Sequence, residues 1–205
     1  MQDAQWKRLG VFGFLDSGAP SLHQNDYVTL VTVNGRGVTA GPFPITTVLS
    51  LLRGFTFYQG FFSRCLPLAG KLGARLVSVN RRDYPGSEPF GEEDRALLLS
   101  TTQNTPAASE NADRYMKARA REFYDFLFEL VKSEGLNTNS IILAGWSLGT
   151  AFVTSFLAHA PSFDSDAQGA GLGQYIRRVV AYGTSPGLYE GSPRRKRVHS
   201  QMPHF

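Results

Sequence analysis

The sequence predicts an α/β protein with a mostly parallel sheet flanked by helices. Runs rich in β-branched residues alternate along the chain with segments whose apolar residues recur at helical spacing. These runs are apolar on both faces, as parallel strands covered by helices are. One run leads directly into a Gly-x-Ser-x-Gly turn and then into a helix-forming segment. A chain of 205 residues, 42% of them hydrophobic, can bury one sizeable core around such a sheet.

The first half of the chain predicts strands with a helix among them. Residues 9–15 alternate weakly between apolar and polar types and predict a first strand, which turn residues follow. Residues 27–33 (YVTLVTV) predict a central parallel strand, and residues 74–79 predict another one. Residues 60–72 between them suit a helix.

The second half predicts helices around the Gly-x-Ser-x-Gly turn. A long helix over residues 109–133 is indicated by apolar residues at three- and four-residue steps, and Gly135 suits its C-terminal cap. A helix over residues 148–160 is expected to stop at Pro161. The remaining elements are a short helix over residues 92–99, the strand that enters the turn, and a last strand over residues 178–182.

The loops that follow the predicted strands should share one edge of the sheet, because the carboxyl ends of parallel strands meet there. These loops are residues 34–37, 80–87, 145–149 and 183–190. We therefore expect binding and catalysis at this edge.

We expect a single domain over residues 1–190 and a basic, disordered tail over residues 191–205. Residues 42–60 are strongly apolar and predict an insertion in that domain. The segment is not expected to span a membrane, because it contains two prolines, Gly54 and a central Arg53. The amino terminus lacks the apolar core of a secretion signal, which favours a cytoplasmic protein.

The charge distribution argues against nucleic-acid binding, and the cysteine content excludes an intramolecular disulfide. The net charge of +4 comes from 21 basic and 17 acidic residues, and residues 194–197 (RRKR) supply four of the positive charges. Without this run the balance is zero, so a folded basic face for nucleic acid is not predicted. Cys65 is the only cysteine, so no intramolecular disulfide forms, and its apolar neighbours predict a core residue. The oligomeric state stays open.

The turn at residues 145–149 (GWSLG) joins the apolar run of residues 141–144 to a helix. A sharp strand-turn-helix connection lifts its central side chain, Ser147, above the sheet edge. Gly145 and Gly149 suit this turn, because a side chain at either position would press on the neighbouring strand or helix. These features predict a nucleophile. The alternative is an ordinary capping serine at a helix N-terminus.

Two motifs in this order resemble the α/β-hydrolase superfamily, and within it the AB hydrolase-1-like serine hydrolases of fungal type. They are the loop at residues 80–87 (NRRDYPGS) and the turn at residues 145–149. The resemblance covers residues 27–182, with residues 42–59 unmatched. It implies a serine hydrolase of esterase or lipase type that acts on a small ester or related acyl substrate and uses no cofactor or metal.

The resemblance also implies a role for each part of the site. Ser147 would attack the substrate carbonyl, and a histidine oriented by an acid would accept the Ser147 proton. The backbone N–H of Leu148 and one N–H from the loop after residues 27–33 would hold the oxyanion. This second donor maps to Arg36, beside Gly35. The family usually has His-Gly where this chain has Asn34 before Gly35, and a backbone donor survives that change.

The chain has four histidines, and the distance from Ser147 excludes His159 and His23 as the base. His159 is twelve residues beyond Ser147 on the same helix, roughly 18 Å away. His23 precedes the strand over residues 27–33 and so starts at the opposite edge, roughly 20 Å from the turn. His199 and His204 remain, in the chain order that the superfamily uses, although neighbouring cations disfavour the imidazolium that a triad must form.

The acid is expected in the loop after residues 178–182. Related sequences tend to carry Asp just after such a strand, where this chain has Gly183. Glu190 is the only carboxylate between that strand and the tail, so it is the candidate acid. Residues 81–83 (RRD) either line the mouth of the site or form an ion pair that steadies a turn.

A second hypothesis is a non-catalytic remnant or pseudoenzyme with the same fold. Members of the superfamily normally carry further strands after this point, and the catalytic histidine follows the last of them. We therefore expect the sheet to lack its C-terminal strands. Removing residues 42–60 would join two segments that resemble an uninterrupted family loop and helix, so these residues and the tail would both be non-family sequence.

Overall fold

The computed structural model describes residues 6–21, 27–34, 62–164 and 171–183. The strands in these ranges are β1 Trp6–Leu9, β2 Phe12–Asp16, β3 Val28–Val33, β4 Ala74–Val79, β5 Ile141–Trp146 and β6 Ile176–Tyr182. The α-helices are α1 Leu66–Lys71, α2 Glu92–Ser100, α3 Ala108–Glu134 and α4 Leu148–Asp164. Short 3-10 turns at Phe62–Cys65 and Leu172–Gln174 precede α1 and β6.

The strands form one mixed sheet in the order β1-β2-β4-β3-β5-β6. β2 is antiparallel to both β1 and β4, whereas β3, β4, β5 and β6 run parallel. Val33 lies opposite both Val79 and Gly145, so the carboxyl ends of β3, β4 and β5 meet at one edge. This mostly parallel sheet with helices packed against it confirms the predicted fold class, an α/β protein with a mostly parallel sheet flanked by helices.

α3 covers the sheet with an apolar stripe and confirms the long helix predicted over residues 109–133. The stripe is buried because its residues recur at three- and four-residue steps. It includes Phe123, Phe126, Leu127 and Leu130. The Phe126 ring meets the rings of Phe12 and Phe14 edge to face, with centroids 5.7 and 5.6 Å apart. Gly135 caps the helix with a φ of +58°, as predicted.

The single strand predicted over residues 9–15 is wrong, because this segment contributes to two strands. Gly10 adopts a φ of +54° and, with Val11, makes the two-residue connection between β1 and β2. Leu9 therefore pairs with Phe12 across a hairpin. The sequence pattern hides this turn because its flanking residues are apolar on both sides.

α4 continues through Pro161 to Asp164, so the predicted stop at Pro161 is also wrong. Proline removes one helical hydrogen bond, but tertiary contacts hold the last turn in place. The Phe163 ring packs edge to face on Tyr124, with centroids 5.6 Å apart. The Asp164 carboxylate accepts hydrogen bonds from the Tyr124 hydroxyl at 2.7 Å and the Leu172 N–H at 3.2 Å. Burial and the bond to Asp164 raise the pKa of Tyr124 to about 12.

The helix predicted over residues 60–72 is shorter than expected, since α1 begins at Leu66 after a 3-10 turn. Cys65 is half-buried and packs against a small apolar cluster that contains Leu15 and Leu76. The predicted insertion over residues 42–60 and the tail over residues 191–205 lie outside the described ranges. Within the described residues, no helix is both long and apolar enough to cross a bilayer.

A charged network centred on the buried Arg75 and Asp16 joins β1, β2, β4 and α3. Arg75 of β4 is only 1% exposed. Its Nε and Nη2 donate to Asp16 at 2.9 and 2.6 Å, and its Nη1 donates to Glu134 at 2.9 Å. Lys7 donates to the same Asp16 carboxylate at 2.8 Å. Burial acts to raise the pKa of Asp16, but the hydrogen bonds from Arg75 and Lys7 outweigh it and lower that pKa to about 2.

Candidate functional site

Ser147 occupies the sharp turn between β5 and α4. Its φ is +52°, a left-handed backbone conformation that residues with a Cβ rarely adopt. The Ser147 N–H donates to the Tyr182 carbonyl of β6 at 2.8 Å, and the Ser147 carbonyl accepts from the Thr150 N–H at 2.9 Å. Strained residues of this kind cluster at active sites when their surroundings hold them in place.

The two glycines of the turn are required by close backbone contacts. A Cβ added to Gly145 would lie 2.7 Å from both the Gly149 carbonyl oxygen and the Thr150 Cα. A Cβ added to Gly149 would lie 2.1 Å from the Val33 carbonyl oxygen and 3.1 Å from the Asn34 carbonyl oxygen. The Gly-x-Ser-x-Gly spacing therefore allows α4 to begin directly against the end of β3.

The donors expected for an oxyanion come from two segments, of which the structure describes one in full. Leu148 is the first residue of α4, so its backbone N–H has no acceptor within the helix. Gly35 and Arg36 lie outside the described residues. Asn34 is the last described residue of their segment.

Asn34 lies at the carboxyl end of β3 and is 1% exposed. Its Nδ2 donates to the Asn80 Oδ1 at 3.4 Å, and its backbone carbonyl accepts from the Arg81 Nε at 3.1 Å. Its Oδ1 is buried and has no hydrogen-bond partner within the described ranges. The ends of β3 and β4 are therefore joined by polar contacts beside the Ser147 turn, as their predicted placement on one edge requires.

The loop after β4 folds back on the β1–β2 hairpin. The Ser87 hydroxyl donates to the Asn80 carbonyl at 2.8 Å and accepts from the Gly13 N–H at 2.8 Å. The Gly13 and Gly86 backbones touch, since a Cβ on Gly13 would lie 2.5 Å from the Gly86 carbonyl carbon. Asp83 has a φ of +64°. These contacts explain why small and turn-forming residues recur in the motif at residues 80–87.

The charged residues of this loop separate into two roles. Arg82 forms ion pairs with Asp94 of α2 at 2.9 Å and Glu122 of α3 at 2.8 Å. Asp83 pairs with Arg95 at 2.9 Å. Arg82 and Asp83 therefore form ion pairs that steady the turn, which is one of the two roles predicted for residues 81–83. Arg81 instead contacts Asn34 at the end of β3.

A second arginine completes the ion pairs around α2. Arg119 of α3 donates to Asp94 at 2.7 Å, and its guanidinium lies 4.9 Å from the Phe90 ring centroid and 5.1 Å from that of Tyr115. Burial raises the pKa of the neighbouring Glu122, while Arg119 and Arg82 act to lower it. Sequence reasoning missed this network because its members come from three separate segments.

The histidines and carboxylates do not meet Ser147 in the described part of the chain, where no hydrogen bond joins the Ser147 hydroxyl to either type of side chain. His159 lies on α4 with its Nε2 3.8 Å from the Asp113 Oδ1. The residues expected to supply a base or an acid lie outside the described ranges. They are Glu190, His199 and His204, and His23 lies outside these ranges as well.

Gly183, where related sequences tend to carry Asp, follows β6 beside the Ser147 turn. It has a φ of +68°, and an added Cβ would lie 3.0 Å from the Cδ1 and Nε1 atoms of Trp146. A side chain at this position would require the indole to give by a few tenths of an ångström, whereas glycine adopts the left-handed backbone freely. The packing at residue 183 is therefore close, where related sequences tend to carry Asp.

Neither a protein-family model nor a curated protein sequence matches this chain. Among solved structures, the chain is similar to a carboxylesterase from Mesorhizobium loti, with 17% identity and a TM-score of 0.49 over 90% of this chain and 68% of that one. It is similar to EstE7, an HSL homologue from a metagenome library, with 18% identity and a TM-score of 0.38 over 79% of this chain and 40% of that one.

The chain is also similar to brefeldin A esterase, a bacterial homologue of human hormone-sensitive lipase, with 19% identity and a TM-score of 0.38. That match covers 80% of this chain and 37% of the esterase. The chain thus spans less than half the length of EstE7 and of brefeldin A esterase.

Proposed function

We propose that this protein is a serine hydrolase of esterase or lipase type, AB hydrolase-1-like and of the fungal subclass, that acts on a small ester or related acyl substrate. The observation that carries the proposal is the left-handed conformation of Ser147 between a buried strand and a helix N-terminus. A capping serine needs no such strain, because an N-cap residue has an ordinary extended backbone. The strain is useful when the hydroxyl must stand above the sheet edge as a nucleophile.

In this proposal the Ser147 hydroxyl attacks the substrate carbonyl and forms an acyl-enzyme, which water then hydrolyses. The N–H of Leu148 and one N–H from Gly35 or Arg36 stabilise the oxyanion of each tetrahedral intermediate. His199 or His204 takes the serine proton and returns it to the leaving group, with Glu190 orienting that histidine. No cofactor or metal takes part in these steps.

Labelling with a fluorophosphonate probe tests the nucleophile. We expect the wild-type protein to form a covalent adduct on Ser147, and Ser147→Ala to lose it, because the probe reacts with activated serines. Ser162→Ala is the matched control, since Ser162 is an exposed serine on α4, the helix that directly follows Ser147. Equal labelling of wild type and Ser147→Ala would contradict the proposal.

A non-catalytic protein with the same fold is the second candidate. It is favoured by Gly183, which stands where related sequences tend to carry the acid. The same experiment separates the two candidates, because a folded wild-type protein that gives no adduct at Ser147 would support the non-catalytic one.

A further inference from the structure

We propose that Arg81 is a positioning residue that holds the end of β3 against the Ser147 turn. The inference rests on the proposed function, because the two segments that Arg81 contacts are those expected to supply the oxyanion donors. Arg81 is assigned no direct contact with substrate.

The first contact is with β3. The Arg81 Nε donates to the Asn34 backbone carbonyl at 3.1 Å. The same carbonyl faces the Ser147 turn, since a Cβ on Gly149 would lie 3.1 Å from its oxygen. The hydrogen bond from Arg81 therefore restrains the end of β3 at Asn34. The Asn34 carbonyl oxygen is thus close to both the guanidinium and the turn.

The second contact is with α4, whose first residue is Leu148. The Arg81 guanidinium lies 5.0 Å from the ring centroid of Phe152, just over one turn into the helix. It also lies 4.8 Å from the Tyr84 ring centroid and donates to the Tyr84 hydroxyl at 3.0 Å. One planar group thus contacts both β3 and α4 while its own orientation is set by the loop after β4.

This bridge matters chemically because an oxyanion hole works only when its two donors keep a set separation. Removing one donor costs about 100- to 1,000-fold in rate, and a shift of about 1 Å costs about 100-fold. We therefore expect Arg81→Met to lower the maximal rate of fluorophosphonate labelling at Ser147 by roughly 10- to 100-fold. The probe concentration that gives half-maximal rate should change little, because Arg81 does not contact the probe.

The comparison uses two further variants with the full chain. The lysine of Arg81→Lys can donate a single hydrogen bond to the Asn34 carbonyl, so this variant should restore part of the labelling rate. If Arg81→Met does not fold, Arg81→Lys alone is compared with the wild type. Arg114→Met removes an exposed arginine from α3 and should label as the wild type does. Thermal unfolding of every variant is measured alongside, because a purely structural role would lower the melting temperature and leave the labelling rate of folded protein unchanged.

The outcomes are distinct. Slower labelling of both folded Arg81 variants, with Arg114→Met unchanged, supports the inference. Wild-type labelling rates in both Arg81 variants would overturn it and leave the proposed function standing. Absence of Ser147-dependent labelling in the wild type would overturn the proposed function and the inference with it.

Discussion

Ser147 keeps its strained backbone because the residues around it allow no relaxed alternative. A left-handed conformation costs a residue with a Cβ about 1–3 kcal/mol when it is held by its surroundings. Here the Ser147 N–H is bound to Tyr182 of β6, and α4 starts in backbone contact with β3 through Gly149. The strain is thus supported from two neighbouring strands.

Gly149→Ala tests this packing. The new Cβ would lie 2.1 Å from the Val33 carbonyl oxygen, so either α4 or β3 must move. We expect the free energy of unfolding, measured by urea denaturation, to fall by about 1–3 kcal/mol. Gly70→Ala is the matched control, because a Cβ on this α1 glycine meets nothing within 4 Å and should stabilise the helix by roughly 0.5–1 kcal/mol. Equal effects of the two substitutions would contradict the account.

Single residues differ in how well the sequence could predict them. The Gly-x-Ser-x-Gly turn is a local pattern, so the position of Ser147 follows from neighbouring residues. The contact of Gly149 with Val33 instead depends on α4 beginning against β3. Arg81 and Asn34 are 47 positions apart, and their hydrogen bond depends on β3 and β4 being neighbours in register. No local pattern could have assigned different roles to Arg81 and Arg82.

α2 has no buried residue, and ion pairs join it to the loop after β4 and to α3. Asp94 accepts hydrogen bonds from Arg82 of the β4 loop and Arg119 of α3. Arg119 is itself 5% exposed, so both its charge and that of its partner are partly removed from water. Such pairs are costly to break, because two partly buried arginines then keep only Glu122 as a partner among the described residues of this network.

Asp94→Ala should loosen α2 more than it destabilises the whole protein. We expect amide hydrogen exchange across α2 to become faster, while exchange in the middle of α3 stays slow, and the free energy of unfolding to fall by about 1–3 kcal/mol. Asp125→Ala removes an exposed i,i+4 partner of Arg121 and should cost less than about 0.5 kcal/mol. Unchanged exchange across α2 in Asp94→Ala would show that apolar contacts hold this helix.

The helices also show where sequence patterns stop being informative. The centre of α3 was predictable because its apolar stripe has helical spacing over many turns. The end of α4 was not, because Pro161 signals a stop whereas Tyr124 and Leu172 hold the next turn through Asp164. A local signal was overridden by contacts with another helix and with the loop before β6.

The network of Asp16, Arg75, Lys7 and Glu134 joins four elements across the molecule and links stability to pH. The pKa of Asp16 is about 2 in the folded protein, against about 3.9 in an unfolded chain. A lowered pKa stabilises the folded state fully above the unfolded value, and this contribution is lost as the pH falls from about 4 toward 2. A shift of this size corresponds to about 2–3 kcal/mol.

Asp16→Asn should remove this pH dependence. At pH 7 we expect the variant to be about 3–5 kcal/mol less stable than the wild type, because the substitution leaves Arg75 partly uncompensated inside the sheet. The difference in the free energy of unfolding should shrink between pH 4 and pH 2, as Asp16 becomes protonated in the wild type. Urea denaturation of both proteins at several pH values measures this difference in the free energy of unfolding. A difference that stays constant over this range would contradict the assigned pKa.

By itself the sequence determined the α/β class, the main strands and helices, and the turn that presents Ser147, because these depend on periodicity and on residues adjacent in the chain. Only the tertiary structure decided the strand order, the hairpin at Gly10, the buried pairing of Arg75 with Asp16 and the contact of Arg81 with Asn34. Each of these depends on which strands become neighbours, and that is set by the packing of the whole chain. Ser147 is thus a local feature of the sequence, whereas the support around it is a property of the assembled sheet.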